Sequence, residues 1–508
     1  MIHLDGHSLT IEQVVGVADL GEAVDLEPGA ASRVRASRAV VDRMAAGTAA
    51  AYGINTGFGS FAEVKIPPDS LERLQVNLLR SHAAGVGEPL PVRTVRAMMA
   101  LRANVLARGF SGIRLETLQT LIAALNRRVH PVVPSRGSVG ASGDLAPLAH
   151  LALVLIGEGE AWDEDRRVPG AVALERAGLV PVCPGPKEGL ALVNGTQAST
   201  AVLVLAEAGA ERLARAADVI AALTTDALRG SARPFDPRIH AERPFAGQVA
   251  SAANFSALLE RSAIRASHAH CARVQDAYSE RCAAQVHGAA REAMRFVRGI
   301  LSVESNAATD NPMVFAHGPD GAGDVISGGN FHGAPVAMAA DLLAIALAQL
   351  ATISERRTER LVNPALSELP AFLTRNGGVQ SGLMIAQVTA AALAAEVKGL
   401  AHPASVDTIP TSANKEDHVS MSMGAALKAE RALEAARYVL AVELLCACQA
   451  IDLLAPLETS APLARVQARV RAAVPTLDED RPPSPDLETI ARLIAAGEIE
   501  TSCGIDVK

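Results

Sequence analysis

From about residue 197 onward the chain is built of long Ala/Leu-rich runs whose apolar positions recur every three to four residues: Ala198 to Leu228, Ser256 to Leu301, Ala334 to Arg360, Ser381 to Lys398 and Glu416 to Ala455. Each run exceeds the ~12 residues of an average helix and needs partners to cover its apolar face. The spacing predicts a mainly α fold. Its long central helical bundle and C-terminal helical region would occupy 197–508, and a smaller mixed N-terminal domain 1–196. The most apolar stretch, Pro335 to Thr352, is interrupted by Asp341 and Gln349, and predicts a buried helix, not a membrane span. With 49% hydrophobic and 20% charged residues, 508 residues supply enough apolar volume for a large core and for subunit interfaces. A net charge of −8 without a basic stripe argues against a nucleic-acid partner. The six cysteines lack Cys-x-x-Cys spacing and Met1 to Gly6 does not read as a signal peptide, so the expected compartment is the cytoplasm.

One segment of the mixed part breaks every regular pattern. Gly137, Gly140 and Gly143 are spaced by three behind Pro131 and Pro134, which predicts a loop in which backbone presses on backbone. Asp144 is placed to cap a helix from Leu145, with Pro147 tolerated in its first turn. Within the loop, Ala141-Ser142-Gly143 has a distinctive chemistry open to it. The exposed amide nitrogen of Gly143 can close a five-membered ring on the Ala141 carbonyl carbon, and loss of water then leaves a methylidene electrophile. The plain alternative is a Gly-rich turn with Ser142 or Asp144 as a cap. A nucleophile elbow fails because position 144 is Asp, and a phosphate loop fails because no Lys follows.

Other polar residues stand out against their surroundings. Tyr52 lies in the Gly-rich segment Tyr52 to Gly59. On a helix, Gln275, Tyr278 and Arg281 would be neighbours at i,i+3 and would suit a carboxylate; the alternative is a solvated face. His82 is equally readable as a satisfied core histidine. Glu416 is readable as an acidic residue opening a helix, and Asn194 and Asn330 as turn residues. His268, His270 and Cys271 lack a metal-binding spacing, and no metal is expected.

Taken together these segments carry a resemblance. Gly140-Ala141-Ser142-Gly143-Asp144-Leu145-Ala146-Pro147-Leu148 resembles the signature of the aromatic amino acid ammonia-lyases, and the other blocks follow in order from about Tyr52 to Asp486. Ser81-His82 and Asn414-Lys415-Glu416-Asp417-His418-Val419-Ser420-Met421 are similar to the histidine-specific members. The resemblance implies elimination of ammonia from L-histidine to give trans-urocanate, the first step of histidine degradation. It implies a 4-methylideneimidazole-5-one (MIO) group made from Ala141, Ser142 and Gly143, with no external cofactor. It also implies a homotetramer whose sites are assembled from several subunits. By the same resemblance Tyr52 is the base, and Arg281 holds the substrate carboxylate with Asn194, Gln275 and Tyr278 alongside. His82 and Glu416 hold the imidazole, and Phe331 packs beside the loop. Three positions depart from the family pattern: Lys415 replaces a usual Gln, Glu280 an apolar residue and Ala277 a Pro. Glu280 in particular is placed to compete for Arg281. The alternatives are a tyrosine or phenylalanine lyase or 2,3-aminomutase of the same family, and a non-catalytic helical scaffold.

Overall fold

The computed structural model describes residues 1–271 and 273–508. The fold is mainly α, as the periodicity predicts. Its longest helices are Gln197–Ala227, Ala283–Glu304, Ala334–Val362 and Ser422–Leu453, of 31, 22, 29 and 32 residues. The Ala334–Val362 helix is long and apolar enough to cross a membrane, but 67% of its apolar window is buried within the protein, as befits a core helix.

Two expected runs are interrupted. Between Ser256 and Leu301 the Ala246–Leu258 helix ends, a single turn covers Ala263–Ala266, and residues 273–277 are irregular before Tyr278–Arg281; position 272 of the expected run lies outside the described residues. The residues from Arg273 to Asp276 offer no apolar stripe to bury, so helix propagation gains nothing there. Glu416 likewise does not open the last long helix, which begins at Ser422. Ser412, Ala413, Asn414 and Met421 all have positive φ, which a helix cannot carry.

Contacts group the chain into two compact units. The first comprises Met1–Ala208, Arg298–Asp341 and Pro403–Leu427; the second comprises Gly209–Val297, Leu342–His402 and Lys428–Lys508. Segments distant in sequence return to the first unit, so these units are not the sequence blocks 1–196 and 197–508.

All the described strands belong to the first unit. Ile2–Leu4 pairs in parallel with Val24–Leu26, and Val86–Pro89 runs antiparallel to Pro134–Arg136. His130–Pro131, Glu160–Asp163 and Arg166–Pro169 form a three-stranded sheet, and Met313–Ala316 pairs with Gly323–Ile326 as a hairpin. Nearly every residue of the Val92–Ala107 helix is buried, and it forms the core of this unit. Val40, Val41, Ile54 and Val314 make a second cluster, which roots the Tyr52 loop through Ile54. In the second unit Phe235 stacks on Phe255, with ring centroids 4.3 Å apart. Buried Asp218 there accepts hydrogen bonds from His287 Nδ1 (2.7 Å), Arg291 Nη2 (2.7 Å) and Asn254 Nδ2 (2.8 Å). Such charges persist in a core only when paired and hydrogen-bonded.

Candidate active site

The Gly137–Asp144 segment is a loop, and its glycines are required by its backbone. Gly140 and Gly143 hold φ of +66° and +70°, where an L side chain is strained. A Cβ on Gly143 would collide with the Gly195 carbonyl, and one on Gly140 with the hydroxyls of Ser420 and Ser422. The loop is therefore held backbone to backbone. Gly143 bridges to Gly195, and the Asp144 amide donates to the Gly195 carbonyl at 2.7 Å.

Asp144 occupies the N-cap position of the Leu145–Leu155 helix without making the expected side-chain cap. Its fully buried carboxylate accepts from Ser138 Oγ (2.8 Å), Ser199 N (2.7 Å) and Ser199 Oγ (2.8 Å) instead. Burial holds this carboxyl above the usual carboxylate range despite those bonds. The Asp144 side chain thus ties the loop to the first turn of the Gln197–Ala227 helix.

Ser142 meets Glu416. The Ser142 hydroxyl donates to Glu416 Oε1 at 2.7 Å across 274 residues of sequence. Glu416 Oε2 accepts from Thr411 Oγ1 (2.5 Å) and Ser412 Oγ (2.9 Å). Burial pushes the Glu416 carboxyl up, but the three hydroxyls and the neighbouring His82 outweigh it and hold it below the usual range. Glu416 is therefore a carboxylate at neutral pH. The His82 imidazole is half-buried, with Nδ1 3.1 Å from Ser81 Oγ. Burial lowers its pKa against the opposing pull of the Leu78 backbone and Glu416, which keeps it neutral. Lys415 is exposed.

Asn194 ends the short helix Glu188–Val193. Its side-chain Oδ1 is buried and has no hydrogen-bond partner among the described residues. That is a costly state for a lone acceptor and marks a place where a ligand group can bind. Tyr52 sits half-buried in a turn, its ring edge-on to Phe58 and its hydroxyl accepting from the Gly59 amide at 3.4 Å. Phe331 is half-buried in a turn whose next residue, His332, approaches the His418 carbonyl through Nε2 at 3.2 Å. The structure thus brings Ser142, His82 and Glu416 together within the first unit, with Asn194 adjoining Gly195 behind the loop.

Gln275, Tyr278 and Arg281 belong to the second unit. Only Tyr278 and Arg281 share a helical turn; Gln275 precedes it in irregular backbone. The Arg281 guanidinium lies 4.6 Å from the centroid of the Tyr278 ring, a cation–π contact. Its Nε is buried without a hydrogen-bond partner among the described residues. Glu280 does not compete for it: the Glu280 side chain is buried, and Oε1 accepts from Arg360 Nε at 3.1 Å. The Ser279 carbonyl accepts from Arg357, whose guanidinium forks onto Glu443 at 2.5 and 2.9 Å. This turn is therefore anchored from behind by buried charges.

Sequence reading missed one organising residue. Arg102 is fully buried in the Val92–Ala107 helix and donates to the Asn194 carbonyl (2.8 Å), to Gln197 Oε1 (2.6 Å) and to the Ala191 carbonyl. It closes the C-terminal end of the helix that presents Asn194. The available signal was a charge inside Met98-Met99-Ala100-Leu101-Arg102-Ala103, where only a paired one survives burial.

A family profile described as aromatic amino acid lyase matches residues 9–472. The chain belongs to the aromatic amino acid lyase family and is a carbon–nitrogen lyase. Histidine ammonia-lyase of Anaeromyxobacter sp. (strain K) is 58% identical over 506 residues, which cover 98% of this chain and 99% of that one. The crystal structure of histidine ammonia-lyase from Trypanosoma cruzi superposes with a TM-score of 0.91 at 46% identity, covering 99% of this chain and 95% of that one. Tyrosine aminomutase from Streptomyces globisporus superposes with a TM-score of 0.94 at 35% identity over the whole of both chains. Backbone shape alone therefore does not separate these chemistries, and the side chains must.

Proposed function

We propose that this chain is an ammonia-lyase for L-histidine that releases ammonia and trans-urocanate, as the first step of histidine degradation in the cytoplasm. The observation that carries this reading is the contact of Ser142 with Glu416, beside a neutral His82. A carboxylate is the right acceptor for the N–H of a substrate imidazole, stronger than an amide by its charge. His82 supplies the second polar contact that a heteroaromatic ring needs.

Ala141, Ser142 and Gly143 are the precursor of the MIO group, and no external cofactor is required. The positive φ of Gly143, the absence of room for any side chain there and the orphan Oδ1 of Asn194 all suit that group. When formed, it supplies an electrophile for the substrate amine, which turns a poor leaving group into a better one.

The other residues bind, orient and move a proton. Arg281 holds the substrate carboxylate; its unpartnered Nε and the absence of a carboxylate partner among the described residues leave it available. Tyr278 fixes the guanidinium plane, Gln275 and Asn194 line the amine and carboxylate side, and Phe331 excludes water beside the loop. Tyr52 takes the proton from the substrate β-carbon through its side-chain oxygen. The working form is a homotetramer. Phe296, Met338, Ile345 and Ile385 are exposed apolar residues on long helices, which partner subunits would cover.

Purified protein assayed side by side on histidine, tyrosine and phenylalanine tests the reading. Urocanate formation from histidine in clear excess over product from the other two is expected. Preference for tyrosine or phenylalanine, or conversion to a β-amino acid, would replace it.

A further inference from the structure

We propose that Ser420 is a positioning residue for the self-modification of Ala141-Ser142-Gly143, acting through the Gly140 carbonyl. This rests on the reading that the tripeptide becomes the electrophile. The Gly140 carbonyl accepts two hydrogen bonds, from Ser420 Oγ at 2.9 Å and from the Gly333 amide at 3.1 Å. Ser420 Oγ also accepts from the Ser422 amide at 3.2 Å, so its proton is directed onto Gly140. One residue back, Val139 accepts from the Met421 amide at 2.8 Å. Ser420 is buried, and the Gly140 Cα packs against its hydroxyl. At the other end of the tripeptide the Asp144 amide is held by the Gly195 carbonyl at 2.7 Å. The peptide planes flanking the tripeptide are thus fixed by partners from different parts of the chain.

Ring closure needs that fixation. The Gly143 nitrogen must form a bond to the Ala141 carbonyl carbon. The Ala141 oxygen departs as water with the protons of the Gly143 and Ser142 amides, leaving a C=N bond to the Ser142 nitrogen. A second water carries off the Ser142 hydroxyl and the proton of its Cα, leaving the Cα=Cβ bond. No oxidant enters. The first bond is a collision between two points of one short segment, and such reactions are governed by how well the ends are held. Ser420 holds the N-terminal end; without its hydroxyl the Gly140–Ala141 peptide can rotate away.

The test follows intact mass and near-ultraviolet absorbance of the full-length protein with time after synthesis, for wild type, S420A, S420T and S422A, with thermal melting of each. Wild type should lose both waters, and S420A should convert about tenfold more slowly. S420T, which keeps the hydroxyl, restores conversion. S422A converts like wild type, because the Ser422 hydroxyl also faces Gly140 but has no hydrogen-bond partner among the described residues. S420C, nearly isosteric but a weak donor, keeps the test open if the alanine variant does not fold: it must convert more slowly than wild type. Conversion of S420A or S420C at the wild-type rate, failure of S420T to restore it, or equal slowing of S422A and S420A would overturn the proposal. Wild type that keeps both waters would overturn the electrophile reading itself.

Discussion

Glu416 shows how much one side chain can set. Three hydroxyls converge on its carboxylate and hold it ionised, and one of them belongs to the serine of the electrophile tripeptide. Glu416→Gln keeps the shape and removes the charge. Its kcat/KM for histidine should fall about 10- to 100-fold, the worth of a charge-assisted hydrogen bond, while intact mass still shows the loss of both waters from the variant's own sequence mass. The double variant His82→Leu with Glu416→Gln should move preference toward phenylalanine; unchanged histidine preference in competition assays would contradict the pocket assignment. Arg281→Lys keeps the charge but loses the planar fork, so KM for histidine should rise about tenfold or more with a smaller effect on kcat. At this scale the sequence was readable where the chemistry is unusual. A serine between two tiny residues and a glutamate after Asn414-Lys415 carry their meaning in their identity. Arg102 and Ser420 do not, because each acts through a backbone carbonyl brought to it only by folding.

Elements matter here through the ends they present. The Leu145–Leu155 helix begins at Asp144 and the Gln197–Ala227 helix follows Gly195, and these two starts meet at the loop. Gly143→Ala would push a methyl into the Gly195 carbonyl at a positive φ. It should cost roughly 2–4 kcal/mol in denaturant unfolding and block ring formation. The Tyr278–Arg281 turn carries a titratable group of its own. Burial pushes the Glu280 carboxyl up to about 7, with Asp276 adding to that and Arg360 and Arg273 opposing it. Its ordinary value is 4.5, so folding favours the protonated form. That stabilisation is complete below 4.5 and fades as pH rises to about 7, a loss of roughly 3 kcal/mol at most. Glu280→Gln, always neutral, should therefore gain on wild type between about pH 5 and 8. Parallel pH profiles of unfolding would contradict this. Long helices with a continuous apolar stripe were legible in the sequence. The break between Leu258 and Tyr278 was not, because periodicity averaged over 46 positions from Ser256 to Leu301 hides a local polar interval.

For the molecule as a whole, apolar residues left outside are as informative as those within. Met338 and Ile345 stand one heptad apart on a helix that is otherwise largely buried, and Ile385 and Val388 are exposed on Met384–Leu400. Light scattering should return about four times the 52.6 kDa chain mass. Ile345→Glu should give smaller species, with activity falling in step with assembly; a fully active monomer would contradict the homotetramer as the working form. The regrouping of 298–341 and 403–427 with the N-terminal 208 residues left no trace in local pattern, since it depends on contacts across hundreds of positions. The central claim remains chemical and is best met by a mass. Intact mass spectrometry of purified wild type should give a value lower than the sequence mass by two waters, and Ser142→Ala should give its full sequence mass. Wild-type protein at its full sequence mass, active on histidine, would contradict the account.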